Sequence, residues 1–291
     1  SDLGTVSLGE ALDSLVGVSS ADYGSAVGQP IIRGLSGSRV KILTNGLVNR
    51  DVAGIGADHK NEVDLNDIQQ IEVVRGPSSL LYANGVTGGI VNIVDNTIAM
   101  EDVVDRVFKL GLETQSVNSG DAQSFSVKDN LGGLNVYFSY SDSSFGNYDV
   151  PSGAILHEED HDEGDDDHED GDHDDEDKGY LENSDSAQEA TRFGVSKVTD
   201  WGYVGLSMSS SESLFGVPFH GEEHDEEEHE GEHEDERIFS NTDSDKFSIR
   251  GSVMVDSDLV KNLDFFFQDS DYSHTEQHAE EEHGDEEHGD E

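Results

Sequence analysis

The spacing of apolar and polar residues divides the chain into two textures. In residues 1–98 the apolar positions come in short separate runs. Leu8, Leu12 and Leu15 follow one another at helical spacing, Ser7 and Glu10 form a capping-box pattern, and Gly17 supplies a stop. Short strands are predicted at Ile31 and Ile32, at 40–43, at 71–74 and at 90–94. Asn45-Gly46 gives a turn after the second of these, and Ser78 to Tyr82 gives a helical turn. This is a small α/β unit.

From about Val103 the period changes to two. Phe108, Leu110 and Leu112 alternate with Lys109, Gly111 and Glu113. Leu134, Val136, Phe138 and Tyr140 alternate with Asn135, Tyr137 and Ser139. The same alternation runs through Phe193 and Val195, then Val204, Leu206 and Met208. It continues through Phe247, Ile249, Gly251 and Val253, and ends with Leu263, Phe265 and Phe267. One apolar and one polar face on each strand suits a sandwich or a barrel. The polar face is rich in Ser, Asn and Gly, which fits a wet lumen better than a packed core.

Charge changes the picture. The chain has 291 residues, 66 acids, 16 bases and a formal net charge of -50. Three tracts, at 157–177, 220–236 and 278–291, hold 34 of the acids and 11 of the 13 histidines, with no Lys or Arg. Like-charged runs of this kind bury nothing and are expected to lack order without a ligand. Short connections near 129–133, 199–202 and 256–262 alternate with the tracts, two strands apart. An up-and-down meander therefore puts all three tracts at one end, the arrangement of outer-membrane barrels. So acidic a chain lacks the basic face that nucleic acid requires. Zero cysteine excludes disulfides and thiolate metal centres. No run of 18 apolar residues exists, so a spanning helix is not expected, and Ser1 opens the sequence without an apolar signal segment.

Several ordered motifs carry a family resemblance. SLGEALDSLVGV at 7–18, Ile32-Arg33-Gly34, the run 40–46 and DIQQIEVVRGPSSLLYANGVTGGIVNI at 67–93 resemble the plug domain of TonB-dependent outer-membrane receptors. The resemblance implies a plug over 1–98, then the first antiparallel strands of a transmembrane β-barrel over 99–291. A barrel of this family has about 22 strands, of which roughly seven are visible here, so a fragment of a longer protein is expected. The resemblance places the protein in the outer membrane of a Gram-negative bacterium. It implies an inner-membrane TonB energy-transducing complex as partner. It also implies plug–barrel charge contacts through the Arg33-Gly34 and Arg75-Gly76-Pro77 motifs.

A narrower similarity is to the zinc-uptake receptors of this family, whose extracellular loops are rich in His and acids. It rests on GNYDVP at 146–151, FGVPFH at 215–220, Asp271-Tyr272-Ser273-His274, and Asp58-His59 in the plug. It implies that Asp58 and His59 bind metal with partners from the barrel, which the sequence does not place. The loops would start at 157, 220 and 274.

Imidazole among carboxylates favours Zn²⁺, Cu²⁺ or Ni²⁺ over the hard ions that carboxylates alone select. The candidate ligands in the tracts, with His274 just ahead of the third, are His157, His161, His168 and His173, then His220, His224, His229 and His233, then His274, His278, His283 and His288. Many interchangeable weak sites are expected, raising the local metal concentration at the barrel mouth. Their binding should fall on acidification, because each imidazole must be neutral to ligate. No nucleophile–base constellation points to an enzyme, and no prosthetic group is implied; Zn²⁺ enters as cargo. The other readings are a receptor for another metal or metal chelate (Cu, Ni, Fe), and a non-transporting acidic surface protein that binds Ca²⁺.

Overall fold

The computed structural model describes residues 7–24, 26–154, 179–218, 237–255 and 257–279. The tract histidines His157, His161, His168, His173, His220, His224, His229, His233, His283 and His288 lie outside these residues.

The chain opens with α1 (Leu8–Leu12). Ser7 caps it, its hydroxyl accepting from the Glu10 amide at 3.2 Å. The helix is shorter than the leucine spacing suggests. It stops at Leu12, and Leu15 is exposed in the turn that follows. Leu8, Gly9 and Leu12 are its buried residues, and the two leucines join the core.

Strands β1 (Val18–Tyr23) and β2 (Val27–Ile32) form an antiparallel hairpin. A separate four-stranded sheet follows, in the order β4 (Leu47–Val48), β3 (Val40–Thr44), β6 (Gly89–Asp95), β5 (Ile68–Val74). β3 runs parallel to β6, and the other two pairs are antiparallel. Asn45 and Gly46 both have positive φ, 53° and 85°, the two-residue turn that their sequence asks for. α1 and the hairpin close over this sheet, with Leu8, Leu12, Val18, Ile32, Val40, Ile42, Val91 and Ile93 as the core. Gly88 and Gly89 permit the close approach. A Cβ on Gly88 would stand 2.9 Å from Val40, and one on Gly89 would stand 2.9 Å from the Val74 carbonyl oxygen.

The remaining strands form one seven-stranded antiparallel meander. Its members are β7 (Val107–Gln115), β8 (Gly120–Asn130), β9 (Asn135–Phe145), β12 (Ser186–Thr199), β13 (Gly202–Gly216), β14 (Arg237–Met254) and β15 (Asn262–Ala279), in that spatial order. β10 (Tyr148–Asp149) and β11 (Tyr180–Leu181) make a two-residue ladder at the base of the first tract. β9, β13 and β15, the strands that run towards the tracts, all finish at one end of the sheet. Connections 131–134, 200–201 and 255–261 lie at the other, and Trp201 is exposed in the second of these. The third tract starts later than its sequence suggests: residues 274–279 belong to β15.

The two faces of the sheet separate as the alternation demands. Phe108, Leu110, Leu112, Phe193, Met208 and Phe267 point outward and are exposed. Ser126, Asn135, Ser139, Ser141, Ser186, Ser196, Ser213, Ser240 and Ser244 are buried on the opposite face, towards the plug. An outward apolar band with a polar interior is how a membrane barrel wall is built. Among the described residues no helix is long and apolar enough to cross a membrane. β14 and β15 each have 18 residues, longer than the about 9–11 that a strand needs to cross a bilayer.

The segment joining plug to sheet runs inside the wall. The Ala99 carbonyl accepts from Ser196 Oγ at 2.6 Å, and a Cβ on Gly194 would stand 1.9 Å from the Thr97 carbonyl oxygen. That neighbour is backbone and cannot swing aside. Gly194→Ala is therefore expected to destabilise the protein by about 1–3 kcal/mol. The unfolding midpoint of the full-length protein in detergent measures this, and an unchanged midpoint would mean that the linker is free to move.

Candidate metal centre at the plug–strand junction

The loop between β4 and β5 carries the plug's share of the site. Asp51 folds the loop back on itself, accepting from the amides of Ala53 and Glu62. Asp58 Oδ1 lies 2.8 Å from His59 Nδ1. A carboxylate on Nδ1 keeps the proton there and leaves Nε2 with its lone pair outward.

The sheet's share comes from β15. His274 faces His59, with ring centroids 5.3 Å apart. Its Nδ1 lies 3.0 Å from Thr242 Oγ1, and Thr242 is its register partner on β14. His274 Nε2 is buried and has no hydrogen-bond partner among the described residues. Glu276, two residues on and so on the same strand face, completes a group of three donors. One ligating atom each from His59, His274 and Glu276 lies within 4.8 Å of the others. Two imidazole nitrogens and a carboxylate oxygen are a donor set for a borderline divalent ion, with room for a fourth ligand. Apolar residues line one side of the site. Phe215 packs 6.5 Å from His274, in a cluster with Ala26, Val27, Val217 and Ile238.

Asp58 lies beside His59 rather than among the three clustered donors. The strand residues that the structure brings up to His59 are His274 and Glu276. Glu276 was missed because the candidate ligands near the tracts were chosen among histidines, and Glu276 is one acid among many. In a strand the informative spacing is two, which joins His274 to Glu276.

The plug–strand charge contacts also fall to residues other than those the motifs suggested. The Arg75 guanidinium donates to the Val16 carbonyl at 2.5 Å, within the plug. Arg33 and Gly34, at φ 52° and 79°, form the turn after β2, and Gly76, at φ 79°, with Pro77 starts the helical turn after β5. The contacts to the sheet come instead from the segment 60–67. Arg192 on β12 pairs with Asp64 at 3.0 Å and also donates to the Asn66 carbonyl. Lys109 on β7 and Tyr137 on β9 both donate to Asp67. Burial pushes the Asp67 carboxyl up, but hydrogen bonds from Lys109, Tyr137 and Ser126 outweigh it and hold the group below its ordinary value. Lys60 donates to Gln188, and Glu62 accepts from Ser211 and Ser213. Burial lowers the Lys60 ammonium, against the opposing pull of Glu62 and Asp64. Isolated from their surroundings, these acids look like an ordinary solvated loop, and only the docked sheet supplies the cations.

Residues 1–90 match the family described as the TonB-dependent Receptor Plug Domain. The fold as a whole resembles solved metal transporters and a siderophore receptor. The copper transporter OprC superposes with a TM-score of 0.66 at 13% identity, over 90% of this chain and 34% of that one. The FrpB iron transporter from Neisseria meningitidis gives 0.65 at 14% identity, over 90% and 37%. The siderophore receptor PirA from Pseudomonas aeruginosa gives 0.57 at 15% identity, over 94% and 38%. The fold is therefore that of a TonB-dependent receptor plug domain followed by an antiparallel strand sheet, as in the matching part of these three proteins. The chain spans little more than a third of the length of these three proteins.

Proposed function

We propose that this chain is part of an outer-membrane receptor that takes up a divalent metal ion, with zinc as the leading cargo. The observation that carries this reading is the convergence of His59, His274 and Glu276 from plug and strand, with the buried His274 Nε2 lacking a hydrogen-bond partner among the described residues. A buried polar atom without a partner is costly, and a metal ion between the two imidazoles would satisfy it. The acidic tracts, with 11 histidines, gather cations at the same end of the sheet. The ion passes from these many weak sites to the junction. An inner-membrane TonB complex then draws on the plug, and the site comes apart because its donors belong to two separate bodies.

Copper and iron are the second reading. Imidazole and carboxylate accept Cu²⁺ and Fe²⁺ as well as Zn²⁺, and a copper transporter and an iron transporter share the fold. A Ca²⁺-binding surface protein is disfavoured by the paired imidazoles, which hard ions do not select.

The test is metal binding to the full-length receptor in detergent, with Ca²⁺ and Mg²⁺ in large excess. Tight Zn²⁺ binding is expected to survive the excess. Deleting the three tracts is expected to remove the weak sites and leave the tight one. If Ca²⁺ or Mg²⁺ displaces all the zinc, metal-selective uptake is the wrong reading. Tighter retention of Cu²⁺ or Fe²⁺, matched by uptake of that metal in cells, would change the cargo.

A further inference from the structure

Gln29 lies in the middle of β2 and is 5% exposed. Its amide nitrogen is 2.7 Å from the Ala53 carbonyl oxygen, 2.7 Å from that of Gly56 and 2.9 Å from that of His59. Three acceptors around one atom fix which end of the amide faces the loop, because an oxygen there would be repelled by all three. The loop is thus wound around one side chain. Gly56 makes the tight winding possible: a Cβ there would stand 2.3 Å from Asp58 Oδ1 and 2.8 Å from His59 Nδ1.

Behind Gln29, β2 is tied to the N-terminal part of the plug. It pairs with β1 along its length, and a Cβ on Gly9 of α1 would stand 2.8 Å from the Gly28 carbonyl oxygen. α1, β1 and β2 therefore form one closely fitted unit. This unit meets the barrel strands near the site through apolar contacts, Ala26 and Val27 against Phe215, Val217 and Ile238. Apolar contacts have no preferred direction and allow sliding. Hydrogen bonds are directional and resist it.

We propose that Gln29 is the positioning residue of the metal site: its amide couples the His59 loop to α1, β1 and β2, so that displacing this unit withdraws His59 from His274 and Glu276. The consequence for metal rests on the proposed function, but the positioning itself can be read without metal.

The chain has no cysteine, so His59→Cys with His274→Cys, in a full-length receptor free of other cysteines, gives a single pair for a short bis-thiol cross-linker. Cross-linking is compared with Gln29 intact and with Gln29→Glu, Gln29→Leu and Gln29→Asn. Leu43→Ala, buried in a different cluster, controls for lost stability. Gln29→Glu is nearly isosteric but turns the donor into an acceptor. It and Gln29→Leu should cross-link several-fold more slowly. Gln29→Asn, which keeps an amide on a shorter arm, should fall between them and the parent, and Leu43→Ala should match the parent. With both histidines present, Gln29→Leu should weaken Zn²⁺ binding by about 10–100-fold, as lost supporting contacts do at metal sites. The visible spectrum of the Co²⁺-loaded receptor should change with it. Cross-linking that is indifferent to Gln29 overturns the proposal, whatever the metal result. Gln29-dependent cross-linking in a receptor without tight Zn²⁺ binding keeps the positioning role and removes the metal reading instead.

Discussion

His59→Ala and His274→Ala are each expected to weaken Zn²⁺ binding to the full-length receptor by more than about 100-fold, beyond what supporting residues alone cost. Each removes one of the two imidazoles that distinguish this site from a plain carboxylate cluster. The remaining imidazole and Glu276 would hold a hard ion no worse than before, so the loss should be selective: zinc affinity collapses while weak Ca²⁺ binding persists. Asp58 separates two accounts of the plug's contribution. As an orienting partner of His59, Asp58→Asn keeps an oxygen for the Nδ1 proton and should cost little. Asp58→Ala should cost about 10–100-fold. The expected order is therefore His59→Ala and His274→Ala most severe, Asp58→Ala intermediate, Asp58→Asn mildest. Isothermal titration with competing chelator measures all four. Should Asp58→Asn prove as damaging as His59→Ala, Asp58 ligates the metal directly. Should His274→Ala bind like wild type, the site does not include β15.

The second large effect belongs to Arg192. Its guanidinium and the Asp64 carboxylate pair at 3.0 Å with side chains 8% and 11% exposed. Removing the cation leaves a buried carboxylate without its partner, which costs about 3–5 kcal/mol. Arg192→Met is therefore expected to loosen the plug from the sheet. It should lower the unfolding midpoint and expose the segment 60–67 to protease. Asp64→Asn with Arg192→Met should recover much of the loss, since no uncompensated charge then remains. Lys109 and Tyr137 would still hold Asp67, so the plug should stay seated in the double variant. If Arg192→Met alone is as stable and as protease-resistant as wild type, docking rests on the other contacts. On the proposed function the position bears on metal release as well. The segment that Arg192 holds follows His59 by only a few residues, so a plug loosened here should release metal faster.

Elements that one face of the chain could define were legible in the sequence. The period-two alternation of β9, β12, β13 and β14 reflects a wall with lipid on one side and polar interior on the other, and each strand meets that requirement by itself. The Asn45-Gly46 turn and the Ser7 cap were legible for the same reason: the chemistry that makes them is within a few residues. β8 was only implied by the turn after it, because Phe125 and Val127 are few apolar signals among polar neighbours. The upper part of β15 was read as the start of a loop. β15 is longer than a bilayer crossing needs, and its alternation ends while pairing with β14 continues to Ala279.

The chain's own pattern was enough for its architecture: a small α/β unit, then amphipathic antiparallel strands, with acidic histidine-rich tracts after every second strand from β9 on. It also offered His59 and His274 as candidates, 215 positions apart. Tertiary structure alone decided that these two rings meet 5.3 Å apart, that Glu276 joins them and that Asp58 stands behind. It alone gave the interface charges to Arg192, Lys109 and the acids of the β4–β5 loop rather than to Arg33 and Arg75. The physical reason is the same in each case. A strand's face is set by its neighbours in the chain, through backbone geometry and burial. A site shared by two bodies is set by how those bodies dock, and no local pattern records the residue that arrives from the other side.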